Sequence, residues 1–573
     1  MRHRTNRLAP AAGALCAGLL IGALAGPGAA SAAAPAGAAA PAGLAGPNPA
    51  DAARTATPIK HLVVIYDENV SFDHYFATYP KAANPKGEPP FVAAAGTPRA
   101  DTLVAAHLLT NNPNFTNTAN GADAAEPFRL DRTQAATADQ NHAYTAEQMA
   151  YDHGRADLFP KYTGKATPGG VGAFGTKGQV MGYYDGNTVG AIWRYAQHYA
   201  MSDNAYTDTY GPSTPGALEV VSGQTNGMQI VATTKKPSTV TAVSYYINDG
   251  QGGLALINDV DPAHDVCSSP TNQVVMTGKN IGDLLNAADL TWGGFMGGFD
   301  LAGHDPNGTT GCKRSTHSVV VGANVVDYIP HHNWFQYYAT TANPTHARPA
   351  VLADIGYSFE HDGKTPDPAN HEYGLADFYR VVRAGKLPAV SYIKLPAYQD
   401  GHAGYSDPLD EQAGVVRLIN FLQHQPEWKS TAVVITWDDS DGWYDHAFAK
   451  TTNPSFDKQA DQLDGPGVCG SGTPLPGVDG KPVNGRCGPG TRLPFLVISP
   501  WAKPDHVSHT EITQASVVRF IEDNWLHGER LGGGSFDATT GSIMSMFDFA
   551  HGGGRVAPLY LNPVTGMLLP ARR

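Results

Sequence analysis

Leu62-Val-Val-Ile-Tyr66 running into Asp67-Glu68-Asn69, and Ala432-Val-Val-Ile-Thr-Trp437 running into Asp438-Asp439, are the stretches that decide the fold. Each is a continuous apolar run rather than an alternating one, the pattern of a strand covered on both faces, as in a parallel sheet. Ala389-Val-Ser-Tyr-Ile393 and Phe495-Leu-Val-Ile498 read the same way. Between the second and third runs in chain order, Val415, Leu418, Ile419 and Leu422 recur at helical spacing and Pro426 closes the segment. Val517, Phe520 and Ile521 repeat that pattern after the fourth run. Strand, helix, strand, helix is βαβ logic. The expected fold class is therefore α/β, with a mostly parallel central sheet and helices on both faces. The Gly/Asn/Pro-rich stretches 81–131 and 234–316 read as long loop insertions or lids outside that core.

Two of the runs end in acidic clusters, and in open α/β sheets the site lies outside the carboxyl ends of the strands. Clustered carboxylate and amide oxygens repel one another unless a cation holds them, and hard oxygen ligands suit Mg2+, Ca2+, Mn2+ or Zn2+. Acidic residues also cap helices. Either cluster alone fits that reading equally well, and the two together fit it less.

The chain's 573 residues carry a formal net charge of -13, which removes the electrostatic support a nucleic-acid partner requires. Arg2, His3, Arg4 and Arg7 precede an apolar run over 11–25 and the small residues Ala30-Ser31-Ala32. That order is a secretory signal peptide, expected over 1–32, and implies a secreted chain. A membrane anchor is the weaker reading, because the run is short and contains glycine; no transmembrane segment is expected in the mature chain. Residues 33–57, nearly all Ala, Pro and Gly, read as a disordered spacer. Residues 58–573 read as one catalytic domain with a sizeable core, given a 42% hydrophobic composition. Cys267, Cys312, Cys469 and Cys487 remain after the leader. Sequence proximity favours Cys267–Cys312 and Cys469–Cys487 as disulfides, though three connectivities exist. A zinc site is disfavoured because no pair is closely spaced.

Glu68-Asn69-Val-Ser-Phe72-Asp73-His74-Tyr75-Phe76 resembles the signature of the bacterial phosphoesterase family, which holds phosphatidylcholine-type phospholipases C and secreted acid phosphatases within the alkaline-phosphatase superfamily. The resemblance continues in order through Asp139-Gln-Asn-His142, Gly211-Pro-Ser213-Thr-Pro215, Pro330-His331-His332-Asn333 and Asp400-Gly-His402. It ends with Trp437-Asp438-Asp439-Ser-Asp441-Gly442-Trp-Tyr-Asp445-His446. It implies an alkaline-phosphatase-like sheet with inserted loops. It also implies one or more divalent metal ions held by Glu68, Asn69, Asp438, Asp439 and Ser213, with Ser213 as nucleophile. Thr214 is the neighbouring hydroxyl, and the family position selects Ser213. His142, His331, His332 and His402 would surround the phosphoryl group, offering positive charge in an acidic protein and a proton for the leaving alcohol. His446 is expected to orient the second acidic cluster. Two departures stand out: Asp441-Gly442 where the family has Gly-Gly, and Gly216-Ala217 where it commonly has Asn-Arg.

The substrate implied is a phosphate ester. The chain ends about fifty residues after Trp525, short of the C-terminal β-domains of longer phospholipases. That places an acid-phosphatase-like phosphomonoesterase first and a phospholipase C acting on phospholipid at a membrane surface second. A non-catalytic binding protein on the same scaffold comes last.

Overall fold

A computed structural model describes residues 46–234, 244–550 and 556–570. The expected signal peptide and the spacer as far as residue 45 lie outside the described residues. The last part of the expected spacer is not free. Pro49–Ala52 forms a helical turn, Asn48 Nδ2 donates to Leu387 O at 2.8 Å, and Thr57 N donates to Asn524 Oδ1 at 2.9 Å. Asn48 and the Thr57–Asn524 contact supply the polar anchoring that an Ala/Pro/Gly composition does not advertise.

The centre is a nine-stranded sheet. In chain order its strands are β1 His61–Asp67, β2 Ala200–Tyr206, β3 Trp292–Met296, β4 Glu372–Gly374, β5 Val390–Lys394, β6 Thr431–Trp437, β7 Arg492–Ile498, β8 His506–Ser508 and β9 Ile512–Thr513. They lie side by side as β4-β3-β5-β1-β6-β7-β2-β8, with β9 also pairing β2. β1 is parallel to β5 on one side and to β6 on the other, with Leu62 opposite Val390 and Asp67 opposite Trp437. β7 alone among them runs against its neighbours. The expectation that Phe495–Ile498 lies in a parallel arrangement is thus corrected. A continuous apolar run reports burial on both faces, which β7 has, and not strand direction.

The principal helices of this core are α1 Phe72–Phe76, α2 Gly190–His198, α3 Ser213–Ser222, α4 Leu375–Arg383, α5 Pro408–Gln423 and α6 Ala515–Trp525. Side-chain alternation assigns their faces. Tyr66 and Tyr392 donate to Gly216 O and Val220 O of α3 at 2.7 and 3.1 Å. Trp437, opposite Asp67 and so on the other face, donates through Nε1 to Glu411 of α5 at 2.9 Å. Helices therefore cover both faces, as expected.

The stretch 234–316 is not wholly an insertion, because it contributes β3 to the sheet, buried at every residue. Gly293 and Gly294 hid this strand, since glycine weakens strand propensity. A Cβ at Gly294 would lie 2.6 Å from Glu372 Oε1 on β4, so packing demands its absence. Both expected disulfides are formed, Cys267–Cys312 and Cys469–Cys487. Among the described residues no helix is long and apolar enough to cross a membrane.

Candidate active site

β1, β5 and β6 all deliver polar residues at their carboxyl ends. After Asp67 the chain turns through Asn69, whose φ of 63° lies in the left-handed region that asparagine tolerates better than most residues. The turn is stitched to the end of β6: Asn69 N donates to Asp438 Oδ1 at 2.9 Å and Val70 N to Asp439 O at 2.9 Å. Glu68 N donates to Asp400 O at 2.8 Å. Two acidic clusters distant in sequence are thereby one structure.

Ser213 opens α3 and reaches this cluster because α3 approaches it closely. A Cβ on Gly216 would lie 2.2 Å from Asp438 O, so an asparagine there would not fit. Ser213 Oγ lies 3.0 Å from Glu68 Oε2 and 3.2 Å from Asp439 Oδ2, within donating distance of both. Thr214 faces elsewhere, its Oγ1 donating to Asp259 Oδ1 at 3.0 Å. Glu68, Asp439 and Ser213 meet directly, and Asn69 and Asp438 join them through the Asn69 backbone.

The donors are all oxygen. Asn69 Oδ1, Asp438 Oδ2 and both oxygens of Asp67 are buried without a hydrogen-bond partner. Buried polar atoms are ordinarily paired, and orphaned oxygens turned into a carboxylate cluster fit a hard divalent cation. Burial, followed by Asp438, pushes Asp439 well above the carboxylate range, so the cluster is unfavourable as charged groups alone. Lys394, the last residue of β5, supplies one cation: its ammonium is buried and paired with Glu68 Oε1.

Three of the four expected histidines, His142, His332 and His402, cluster at this centre, and His331 lies beside them. His332 Nδ1 lies 3.1 Å from Glu68 Oε1, and Glu68, His332 and Asp400 form a compact group of candidate ligands. His402 stacks parallel to His332 with ring centroids 6.2 Å apart and meets His142 edge-on at 6.0 Å. Asp139, His142 and His402 form a second such group. His331 is more peripheral, 3.5 Å from Asp261 Oδ1 and edge-on to His332. Burial opposes charge on His142, but Asp439, Asp441 and Asp139 outweigh it and hold the imidazole well above its ordinary value. Burial, reinforced by the neighbouring histidines, holds His332 well below that value and pulls His402 down to about 4. Charge is thus favoured on His142 and opposed on His332 and His402.

His446 does not orient the second acidic cluster, contrary to expectation. Its Nδ1 lies 2.6 Å from Asp73 Oδ2 and its Nε2 3.2 Å from Asp101 Oδ1, beside Arg492. This ion cluster ties α1 to the segment after β6 and to β7. Three site residues escaped assignment from sequence: Lys394, Asp400 and Asp67. Their signal was position, at or just beyond a strand's carboxyl end, without a motif role to accompany it.

The phosphoesterase family model matches residues 59–526. The non-hemolytic phospholipase C of Pseudomonas aeruginosa is 23% identical over 503 residues, covering 86% of this chain and 58% of that protein. Phospholipase C B of Mycobacterium tuberculosis is 24% identical over 516 residues, covering 86% of this chain and 78% of that protein. This chain therefore spans little more than half the length of the Pseudomonas relative. A solved protein of the alkaline phosphatase superfamily from Vibrio parahaemolyticus aligns over 61% of this chain and 62% of its own, at 10% identity and a TM-score of 0.25, too loosely to bear on fold or site. The family match runs unbroken through the ends of β1, β5 and β6 and through the start of α3, and the chain belongs to the phosphoesterase family.

Proposed function

We propose that this chain hydrolyses a phosphodiester in the manner of a phospholipase C, using Ser213 as nucleophile and releasing a phosphorylated head group. The observation that carries the reading is the buried Ser213 hydroxyl between Glu68 and Asp439, beside the orphaned oxygens of Asn69 and Asp438. The sequence alone places phosphomonoester hydrolysis first. Relatives named phospholipase C, aligned over 86% of the chain, favour the reverse order.

Glu68, Asn69, Asp438, Asp439 and Ser213 would hold one or more divalent cations, which when bound lower the hydroxyl's pKa and neutralise phosphoryl charge. The Ser213 proton passes to a carboxylate already within hydrogen-bonding distance. Ser213 Oγ attacks phosphorus, and the bond to the leaving alcohol breaks on the opposite side. His142, whose charged form the surrounding carboxylates favour, donates a proton to that alkoxide. His332 and His402 would flank the equatorial oxygens, their Nδ1 atoms turned to Glu68 Oε1 and to Ala403 O, with His331 at the rim. Water then hydrolyses the phosphoserine. The amino-terminal pattern over 1–32 supports action outside the cell, where a phospholipid surface is the partner.

Hydrolysis of phosphatidylcholine vesicles, p-nitrophenyl phosphorylcholine and p-nitrophenyl phosphate, each with and without chelator, tests this. Cleavage of the two choline diesters, lost on chelation, is expected to exceed monoester cleavage at least tenfold. Preference for the monoester would reinstate the phosphatase. Ser213→Ala is expected to keep the fold and lower turnover by about 10^3-fold or more; full activity in that variant would remove the nucleophile assignment.

A further inference from the structure

Asp441 holds its backbone in the left-handed region, with φ at 56°. A side chain in the left-handed region is strained, and such residues persist where the surroundings hold them for a purpose. Asp441 is completely buried, and its N–H and both carboxylate oxygens are engaged. Its N–H donates to Asp439 Oδ1 at 2.5 Å. Oδ1 accepts from Asn69 Nδ2 at 3.0 Å and lies 3.2 Å from His142 Nδ1. Oδ2 accepts from Gln140 N at 3.1 Å.

Each contact fixes an orientation. An amide side chain can present either end to a cation, and only oxygen is a ligand. With Nδ2 committed to Asp441, the end of Asn69 left unpartnered is Oδ1. His142 Nδ1 lies between two acceptors, Gln140 O at 3.1 Å and Asp441 Oδ1. It therefore carries hydrogen, and Nε2 is the nitrogen left free of Gln140 and Asp441. We propose that Asp441 is a positioning residue, one carboxylate that sets the cation-facing amide of Asn69 and the phosphoryl-facing imidazole of His142 together. The proposal rests on the functional reading above. It predicts that cation and phosphate affinity fall together when the carboxylate is removed.

The test compares Asp441→Gly, which removes the carboxylate and relieves the strained φ, with Asp441→Asn, which keeps an acceptor without the charge. Mn2+ binding to metal-free protein is measured by calorimetry, orthophosphate affinity by competition on the Mn2+-loaded enzyme, and thermal stability on the metal-free form. Asp441→Gly is expected to melt no lower than wild type yet bind Mn2+ and orthophosphate each at least tenfold more weakly, with KM rising more than kcat falls. Asp441→Asn is expected to stay within about threefold of wild type for Mn2+, because its oxygen still accepts from Asn69. Wild-type affinities in Asp441→Gly would overturn the proposal. Equal losses in both variants would assign the effect to charge alone, and a lowered metal-free melting point would mark a structural role; either overturns it too. Should wild-type protein turn over no phosphoester, the functional reading falls while the Mn2+ titration still decides on Asp441.

Discussion

Lys394 carries its ammonium into a ring of carboxylates, pairing with Glu68 while Asp438, Asp400, Asp67 and Asp439 surround it. Burial pulls its pKa down and those carboxylates push it back up. A buried ion pair is costly to break from one side, about 3–5 kcal/mol, because the remaining charge is stranded. Lys394→Met is therefore expected to lower the melting point of the metal-free protein by several degrees. The same change removes a resident positive charge and is expected to tighten divalent binding. Thermal melts with and without Mn2+ check both, and a variant unchanged in both would show that Lys394 does not help to hold the cluster. Sequence reading placed Glu68, Asn69, Asp438 and Asp439 because each lies in a motif at a strand end. It passed over Lys394, since a lysine after an apolar run more often points to water than into a site.

At the scale of elements, α3 is what brings Ser213 to the two strand ends of the candidate site. Its approach is set by Gly216, whose missing Cβ makes room for Asp438 O, and by Tyr66, which donates to Gly216 O at 2.7 Å. The glycine that departs from the family pattern is thus a packing requirement of this chain. Gly216→Ala is expected to push the amino-terminal turn of α3 outward and reduce kcat at least tenfold, while circular dichroism stays native; unchanged kcat would show that the turn can give. The expected strands appear as β1, β5, β6 and β7, and both expected helices as α5 and α6. β2 and β3 were illegible, the first because Ser202, Asp203 and Asn204 interrupt its apolar pattern, the second because of its glycines. Only neighbouring strands reveal that these segments are buried.

Across the molecule, many carboxylates outside the candidate ligand set are buried. Burial pushes Glu372 up to about 8, Asp208 to about 7 and Asp461 to about 6. A carboxyl whose folded value lies above its unfolded value binds more protons in the folded state across that interval. Its contribution is fully present below the unfolded value and is lost as pH rises through the folded one. Stability of the metal-free protein is therefore expected to fall between about pH 5 and 8, the direction set by these shifts. Glu372 Oε2 accepts from Asn333 Nδ2 at 2.7 Å, while Oε1 is unpartnered. Glu372→Gln preserves the acceptor and is expected to flatten the upper part of that fall. Denaturant midpoints from pH 5 to 8.5 measure it, and a wild-type midpoint that rose with pH would contradict the sign.

The sequence by itself determined the α/β class, the strands that carry the acidic clusters and the oxygen-rich character of the site, and it favoured the cysteine pairs that the structure then fixed. These follow from local patterns: uninterrupted apolar runs, motif order and proximity along the chain. Only the tertiary structure decided the direction of β7, the place of β3 in the sheet, the partners of His446, and the convergence of Lys394 and Asp441 on the cluster. Those depend on which surfaces meet across hundreds of residues, and a buried charge becomes readable only once its partners are in place.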